Sequence, residues 1–168
     1  MPESTTFPIV IRKATSQDMS PLWAIFRQIA AEGQTYVQSE SISEAEFVEY
    51  WTGRGGQQWV AELQGEVVGG YTLRANHPGR GSHVATASYI VSPARQGLGL
   101  GRKLGEHSIA QARTESYKAM QFNFVVSTNV RAVALWKKLD FEVVGVLPEA
   151  FQHKDRGPVD ALVMFRRL

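Results

Sequence analysis

The spacing of apolar positions changes period several times along the chain. Residues 8–13 (PIVIRK) are rich in β-branched side chains and predict a first strand. Leu22, Ile25, Phe26 and Ile29 then recur at helical spacing. Thr15 or Ser16 can cap that helix, Asp18 and Met19 fall in its first turn, and Gly33 ends it. Ser43 and Glu46 form a capping-box pattern ahead of Phe47, Val48 and Trp51, which predicts a second helix. Between the two helices, residues 34–42 read as a polar loop that contains Tyr36.

Strands follow at residues 58–63 and 66–73, joined by the turn signal Gln64-Gly65. Residues 76–82 hold a proline and glycines and read as a loop, and residues 83–91 as the next strand. Ser92-Pro93 closes it, because proline has no N–H for a ladder and restrains the residue before it. A helix over about 101–116, a buried-looking strand at 120–126, a helix over 129–139 and a strand at 142–146 come next. Residues 151–158 are expected to be a loop and 160–166 a closing strand. Antiparallel runs followed by late crossover helices predict an α/β fold: a mixed sheet, mostly antiparallel, with helices on both faces. At 168 residues the chain suits a single domain over 1–168, with residues 1–7 expected to fray.

Composition narrows the chemistry. The sequence has no cysteine, which excludes disulfides, thiolate metal sites and a cysteine nucleophile, and agrees with a reducing, cytoplasmic setting. The four histidines, at 77, 83, 107 and 153, lack metal-ligand spacing, so no metal is expected. The net charge of +2 is scattered and forms no dense basic stripe, so a nucleic-acid partner is not expected either. No apolar run is long enough to span a bilayer, and residues 1–8 do not read as a leader, so no membrane partner is expected. No G-x-S-x-G supports a hydrolase triad.

The strongest chemical signal is Gln96-Gly97-Leu98-Gly99-Leu100-Gly101, lying between a predicted strand and a predicted helix. Glycines let the backbone turn to positive φ and approach an anion, and a helix N-terminus adds free N–H groups and partial positive charge. Arg102 and Lys103 stand just behind and suit a second phosphate. The spacing fits neither a dinucleotide fingerprint nor a P-loop: the third glycine of G-x-G-x-x-G would fall on Arg102 or Leu104, and Gly101-Arg102-Lys103-Leu104 does not complete a Walker motif.

With these residues in place, the chain resembles the GCN5-related N-acetyltransferase (GNAT) family. Gln96, Gly99 and Gly101 fill its Q/R-x-x-G-x-G/A signature. The run from Asn129 through Ala132, Leu135, Trp136 and Leu139 to Phe141 looks like its N-x-x-A-x-x-L-Y-x-x-x-G-F helix. The resemblance implies a three-layer fold in which the fourth strand bulges and splays from the fifth. Acetyl-CoA as co-substrate lies in the gap, its pyrophosphate on residues 96–101 and Arg102, and its pantetheine arm against backbone groups of Ile90 and Val91. One N–H there polarises the thioester, an amine attacks directly, and Asn129 bonds the arm. The family's tyrosine position holds Trp136, which either walls the cofactor or packs in the core. Thr86 stands where some relatives carry a base glutamate. A narrower likeness to yeast proline-analogue acetyltransferases and their bacterial cousins rests on residues 122–129, 145–148, 151–154 and 159–164. It implies that Asn123 orients the substrate or its oxyanion, the alternative being an asparagine that only satisfies a strand end. Tyr36 and His153 either face the acceptor or serve as packing and surface residues. The expected function is acetylation of a small-molecule amine, preferably an amino acid or proline-like analogue. The alternatives are a protein or peptide acetyltransferase and a non-catalytic CoA sensor. A homodimer is a possible assembly.

Overall fold

The computed structural model describes residues 7–168; the frayed end expected over 1–7 lies outside them except for Phe7. Its elements run β1 (Ile9–Lys13), α1 (Met19–Glu32), α2 (Glu44–Thr52), β2 (Gln57–Leu63), β3 (Glu66–Ala75), β4 (Val84–Val91), α3 (Leu100–Thr114), β5 (Ala119–Val126), α4 (Val130–Lys138), β6 (Glu142–His153) and β7 (Gly157–Arg167). The strands form one sheet in the order β1-β2-β3-β4-β5-β7-β6. Every neighbour is antiparallel except β4 and β5, which are parallel.

Local chemistry sets the helix ends. Gly33 takes the left-handed conformation that stops α1, at φ 62°. Ser43 and Glu46 cap α2 reciprocally: the Glu46 N–H donates to Ser43 Oγ and the Ser43 N–H to Glu46 Oε2. At the short 3-10 turn that leads into α1, the Thr15 N–H and hydroxyl both donate to Asp18 Oδ2, and the Asp18 N–H donates to the Thr15 carbonyl. There Asp18 also takes both guanidinium nitrogens of Arg12, at 2.8 and 2.9 Å.

Two cores sandwich the sheet. Strand alternation sends Val60 and Ile90 to one face, where they meet Leu22, Phe26, Phe47 and Trp51 of α1 and α2. It sends Ala61, Tyr71, Leu73 and Ala87 to the other, against Leu104 and Ile109 of α3 and Trp136 of α4. The three layers expected from the sequence are therefore present.

The sheet splits in its middle. β4 and β5 pair only at Val84↔Ala119 and Ala85↔Met120, after which they part. The parting starts on β5. Between the pairs Phe122↔Met164 and Val125↔Leu162, Asn123 and Phe124 stand against the single residue Val163, a one-residue bulge in β5. The bulge expected in β4 is absent, since its register with β3 runs unbroken from Gly69↔Val91 to Ala75↔Ala85. Glycine at position 69 keeps that ladder tight, because a Cβ there would lie 2.5 Å from the Ile90 carbonyl.

One predicted loop is a strand pair instead. Residues 151–153 close β6 and residues 157–158 open β7, leaving residues 154–156 as the turn. The two prolines of this strand pair are tolerated for positional reasons. Pro148 sits at a bulge of the edge strand β6, and Pro158 lies on β7 before its pairing with β5 begins.

Candidate active site

A cleft of about 920 Å³ opens where β4 and β5 part. Val91, Gln96 and Gly101 line it at the α3 end, and Asn129, Arg131 and Trp136 along α4. Tyr36, Asn123 and His153 line the rest, so eight of the residues singled out from the sequence share one cavity with Arg131.

The anion end is built from backbone. Gly97 and Gly99 hold φ of 85° and 71°, and a Cβ on either would touch nothing within 4 Å. They are needed for backbone conformation, not for want of space. Gly99 is the N-cap of α3, no side chain caps that end, and the first turn holds no acidic residue. The bond from the Lys103 N–H to the Gly99 carbonyl is the first of the helix, so the preceding N–H groups point out of it unpaired. Leu98 is exposed at the loop tip, whereas the Leu100 side chain is buried in the core. The cation beside the loop is one the sequence reading missed. Arg131 reaches back from α4 to donate to Gln96 Oε1 at 3.2 Å. Arg102, expected to serve there, pairs with Glu106 one turn along α3 at 2.7 Å on an exposed face.

The edge of β4 can be read from its ladder. The Asn76 N–H donates to the Val84 carbonyl and the Ser92 N–H to the Val68 carbonyl. The hydrogen-bonded pairs with β3 therefore fall on the even positions of β4, and Ile90 is paired with Gly70. Ala87, Tyr89 and Val91 turn their backbone groups to the gap. Of the two backbone donors expected, Val91 faces the cleft, whereas Ile90 is engaged in the ladder and its side chain is buried under α1 and α2.

Trp136 is a core residue that also shows a side to the cleft. It is buried and packs on Tyr89 and Phe122, with ring centroids 4.7 Å away in both cases. The Tyr89 hydroxyl lies 2.7 Å from Ser108 Oγ, turned inward to α3 and away from the gap. Asn129 caps α4, accepting the Ala132 N–H on Oδ1 at 3.2 Å and leaving its amide nitrogen for the cleft.

Three segments remote in sequence wall the other end. Tyr36 donates its hydroxyl to the Tyr89 carbonyl at 2.5 Å, on the open edge of β4. Burial pushes the Tyr36 phenol well above the usual tyrosine value, with Tyr50 acting in the same direction, so it stays protonated and donates. Asn123 donates to Asn76 Oδ1 at 2.6 Å and accepts from Gln121 Nε2 at 2.9 Å. His153 is buried at the end of β6 and accepts the Asp155 N–H on Nδ1 at 3.1 Å. That bond engages Nδ1 and leaves Nε2 without a hydrogen-bond partner among the described residues. Arg74 joins this wall from β3, and Asn76, just past the end of that strand, supports it through its bond with Asn123; neither stood out in the sequence. Four cleft residues, Thr35, Gln38, Arg74 and Thr128, each carry a buried polar side-chain atom with no partner among the described residues. Unpaired buried polar atoms around one cavity are expected of a binding site.

The residues fit a CoA thioester: an uncapped helix end for phosphates, an unpaired strand edge for an amide-bearing arm, and a polar chamber beyond. Among the described residues no cluster of three or more His, Asp or Glu side chains could hold a metal, and no helix is long and apolar enough to cross a membrane.

Comparison with known proteins agrees with this geometry. The family model of the Acetyltransferase (GNAT) family matches residues 23–141. N-acetyltransferase aca1 of Schizosaccharomyces pombe is 33% identical over 98 residues, which are 58% of this chain and 47% of that protein, so the match spans about half of the relative. The structure of a GCN5-related N-acetyltransferase from Kribbella flavida superposes with a TM-score of 0.91 at 37% identity, covering 95% of this chain and 98% of that one. The fold is also shared with yncA of Salmonella typhimurium, solved with its cofactor acetyl-CoA, at a TM-score of 0.85 and 24% identity over 96% of this chain and 94% of that one. The protein is thus placed among the acetyltransferases. The chain belongs to the Acetyltransferase (GNAT) family.

Proposed function

We propose that the protein transfers the acetyl group of acetyl-CoA to the amine of a small molecule, with an amino acid or proline-like analogue as the preferred acceptor. The observation that carries this reading is the single cleft joining an anion-binding helix end to a chamber walled by Tyr36, Asn123 and His153. The pyrophosphate rests on the N–H groups at the start of α3, with Arg131 and Gln96 beside it. The pantetheine arm pairs with the open edge of β4, and Asn129 donates its amide to the arm.

The neutral amine attacks the thioester carbonyl, the C–N bond forms, and the C–S bond breaks with the thiolate leaving. The Val91 N–H, turned to the gap, stabilises the developing oxyanion. Holding both reactants in one cleft supplies most of the remaining acceleration. Indole gives up no proton, so Trp136 packs the cofactor wall and the thiolate takes its proton from water. With threonine at position 86, the amine's proton also passes to solvent through the open cleft.

The test mixes the purified protein with acetyl-CoA and a panel of amino acids, proline analogues, polyamines and peptides, following thiol release and product mass. Acetylated small amines are the expected result. Tight CoA binding without turnover on any amine would point to a sensor, and turnover on peptides alone to a protein acetyltransferase.

A further inference from the structure

The acceptor end of the cleft contains a guanidinium that makes no ion pair among the described residues, although Glu46 and Glu49 line a smaller neighbouring cavity with it. Arg74 lies on β3 opposite Thr86. It alternates with Leu73, which faces the α3 and α4 core, so its side chain leaves the sheet on the side of α1 and α2. It lines the cleft with Tyr36, Tyr50, Asn123 and His153. Its Nη1 is buried and has no hydrogen-bond acceptor among the described residues. The ion pairs of the described residues use Arg12, Arg95, Arg102 and Arg166, and no carboxylate comes within pairing distance of Arg74. Glu32 also lines the cleft, from the end of α1, and is not among those partners.

A desolvated guanidinium nitrogen without an acceptor is unfavourable unless something else supplies one. The planar fork of arginine matches a carboxylate in two parallel hydrogen bonds. The residue first expected to orient such a group, Asn123, already donates to Asn76 Oδ1. We infer that Arg74 binds the carboxylate of the acceptor. The substrate class is then amines that carry a carboxylate close to the nitrogen, which the pocket selects over polyamines and lysine side chains by attraction at Arg74 and by repulsion of a second cation. This inference rests on the acetyl-transfer reading and adds to it a residue and a charge requirement.

The test measures initial rates at saturating acetyl-CoA for a series of L-amino acids and proline analogues. Each is compared with its carboxamide and its decarboxylated amine. The acid is expected to exceed both in kcat/KM by at least about tenfold, the scale of a charged hydrogen bond. Arg74→Gln should raise KM for the acid by roughly tenfold to a hundredfold, with the KM for acetyl-CoA and the melting temperature serving as controls for folding. Arg74→Lys should recover part of the loss. Equal use of acid and amide by the wild-type protein overturns the inference, as does a preference for the acid that survives in folded Arg74→Gln. Turnover confined to amines without a carboxylate sinks the role of Arg74 and leaves acetyl transfer standing. Failure to acetylate any amine removes both. If Arg74→Gln does not fold, the wild-type comparison of acid, amide and amine still decides.

Discussion

The Tyr36 hydroxyl donates to the Tyr89 carbonyl at 2.5 Å and so ties the loop between α1 and α2 to the open edge of β4. That carbonyl would otherwise face the gap, because β4 has already parted from β5. Tyr36→Phe keeps the ring contact with Phe26, whose centroid lies 4.8 Å away, and removes only the hydrogen bond. The expected cost is about 1 kcal/mol, or roughly 2–4 °C in melting temperature for a domain of this size. The loop should also exchange its amide hydrogens faster. An unchanged exchange profile over residues 34–42 would show that the bond does not hold the loop.

The glycine loop separates two effects that one substitution would confound. Gly99→Ala meets no neighbour and pays only for its left-handed backbone, on the order of 1–2 kcal/mol. Its affinity for CoA, measured by calorimetric titration, should fall modestly. Gly99→Asp adds a carboxylate where the pyrophosphate is proposed to rest, and should weaken CoA binding by a factor of a hundred or more at a comparable melting temperature. Equal affinities for the two variants would move the pyrophosphate elsewhere.

Helices α3 and α4 touch through a glycine. A Cβ on Gly105 would lie 2.8 Å from Leu139 Cδ1 and 3.0 Å from Trp136 Cζ3. Gly105→Ala should therefore overpack this contact and destabilise the protein by about 1–3 kcal/mol, despite the better helix propensity of alanine. Trp136→Ala should cost about 3–5 kcal/mol as a cavity among Tyr89, Phe122 and Phe141. Urea titration of both variants measures the two costs.

Acid should weaken the N-terminal anchor. The bidentate bond from Arg12 holds the Asp18 carboxyl at about 2, below its ordinary 3.8, and the Thr15 N–H and hydroxyl act in the same direction. A carboxyl depressed in the folded state stabilises fully above its unfolded pKa and loses that contribution as pH falls through the folded one. The contribution should thus be intact above about pH 4 and fade between about 4 and 2. Asp18→Asn should flatten the wild-type stability profile in that window. Parallel profiles for the two proteins would mean that Asp18 titrates alike folded and unfolded.

The donor half of the cleft was legible in the sequence because it is local. Gln96 to Gly101 and Asn129 to Trp136 are short runs whose spacing maps directly onto a helix start and a helix face. The acceptor half was less legible because it is not local. Asn76 meets Asn123 across 47 residues of chain, and Tyr36 meets Tyr89 across 53. No period or motif announces such contacts. Arg74 reads in the sequence as an ordinary charge on a strand, and only the packing reveals that no described residue forms an ion pair with it. Ile90 was one residue out of phase, since a strand shows its edge on alternate positions and the sequence does not say which. Residues 151–158 went wrong because Gly157 and Pro158 resemble a turn, whereas they open β7 where β5 does not yet pair with it, so the missing N–H of Pro158 breaks no ladder on that side.

The turn after His153 folds back on the end of α1. The Lys154 N–H donates to the Gly33 carbonyl at 3.0 Å, and Lys154 Nζ reaches the Ala31 carbonyl across 123 residues of chain. Closing so long a loop is slow compared with zipping neighbouring elements, so β4, α3, β5 and α4 can assemble the donor grip well before this clasp forms. The acceptor chamber then closes after the donor grip, and loosening of this clasp together with the Tyr36 bond would open it while the donor half keeps its shape.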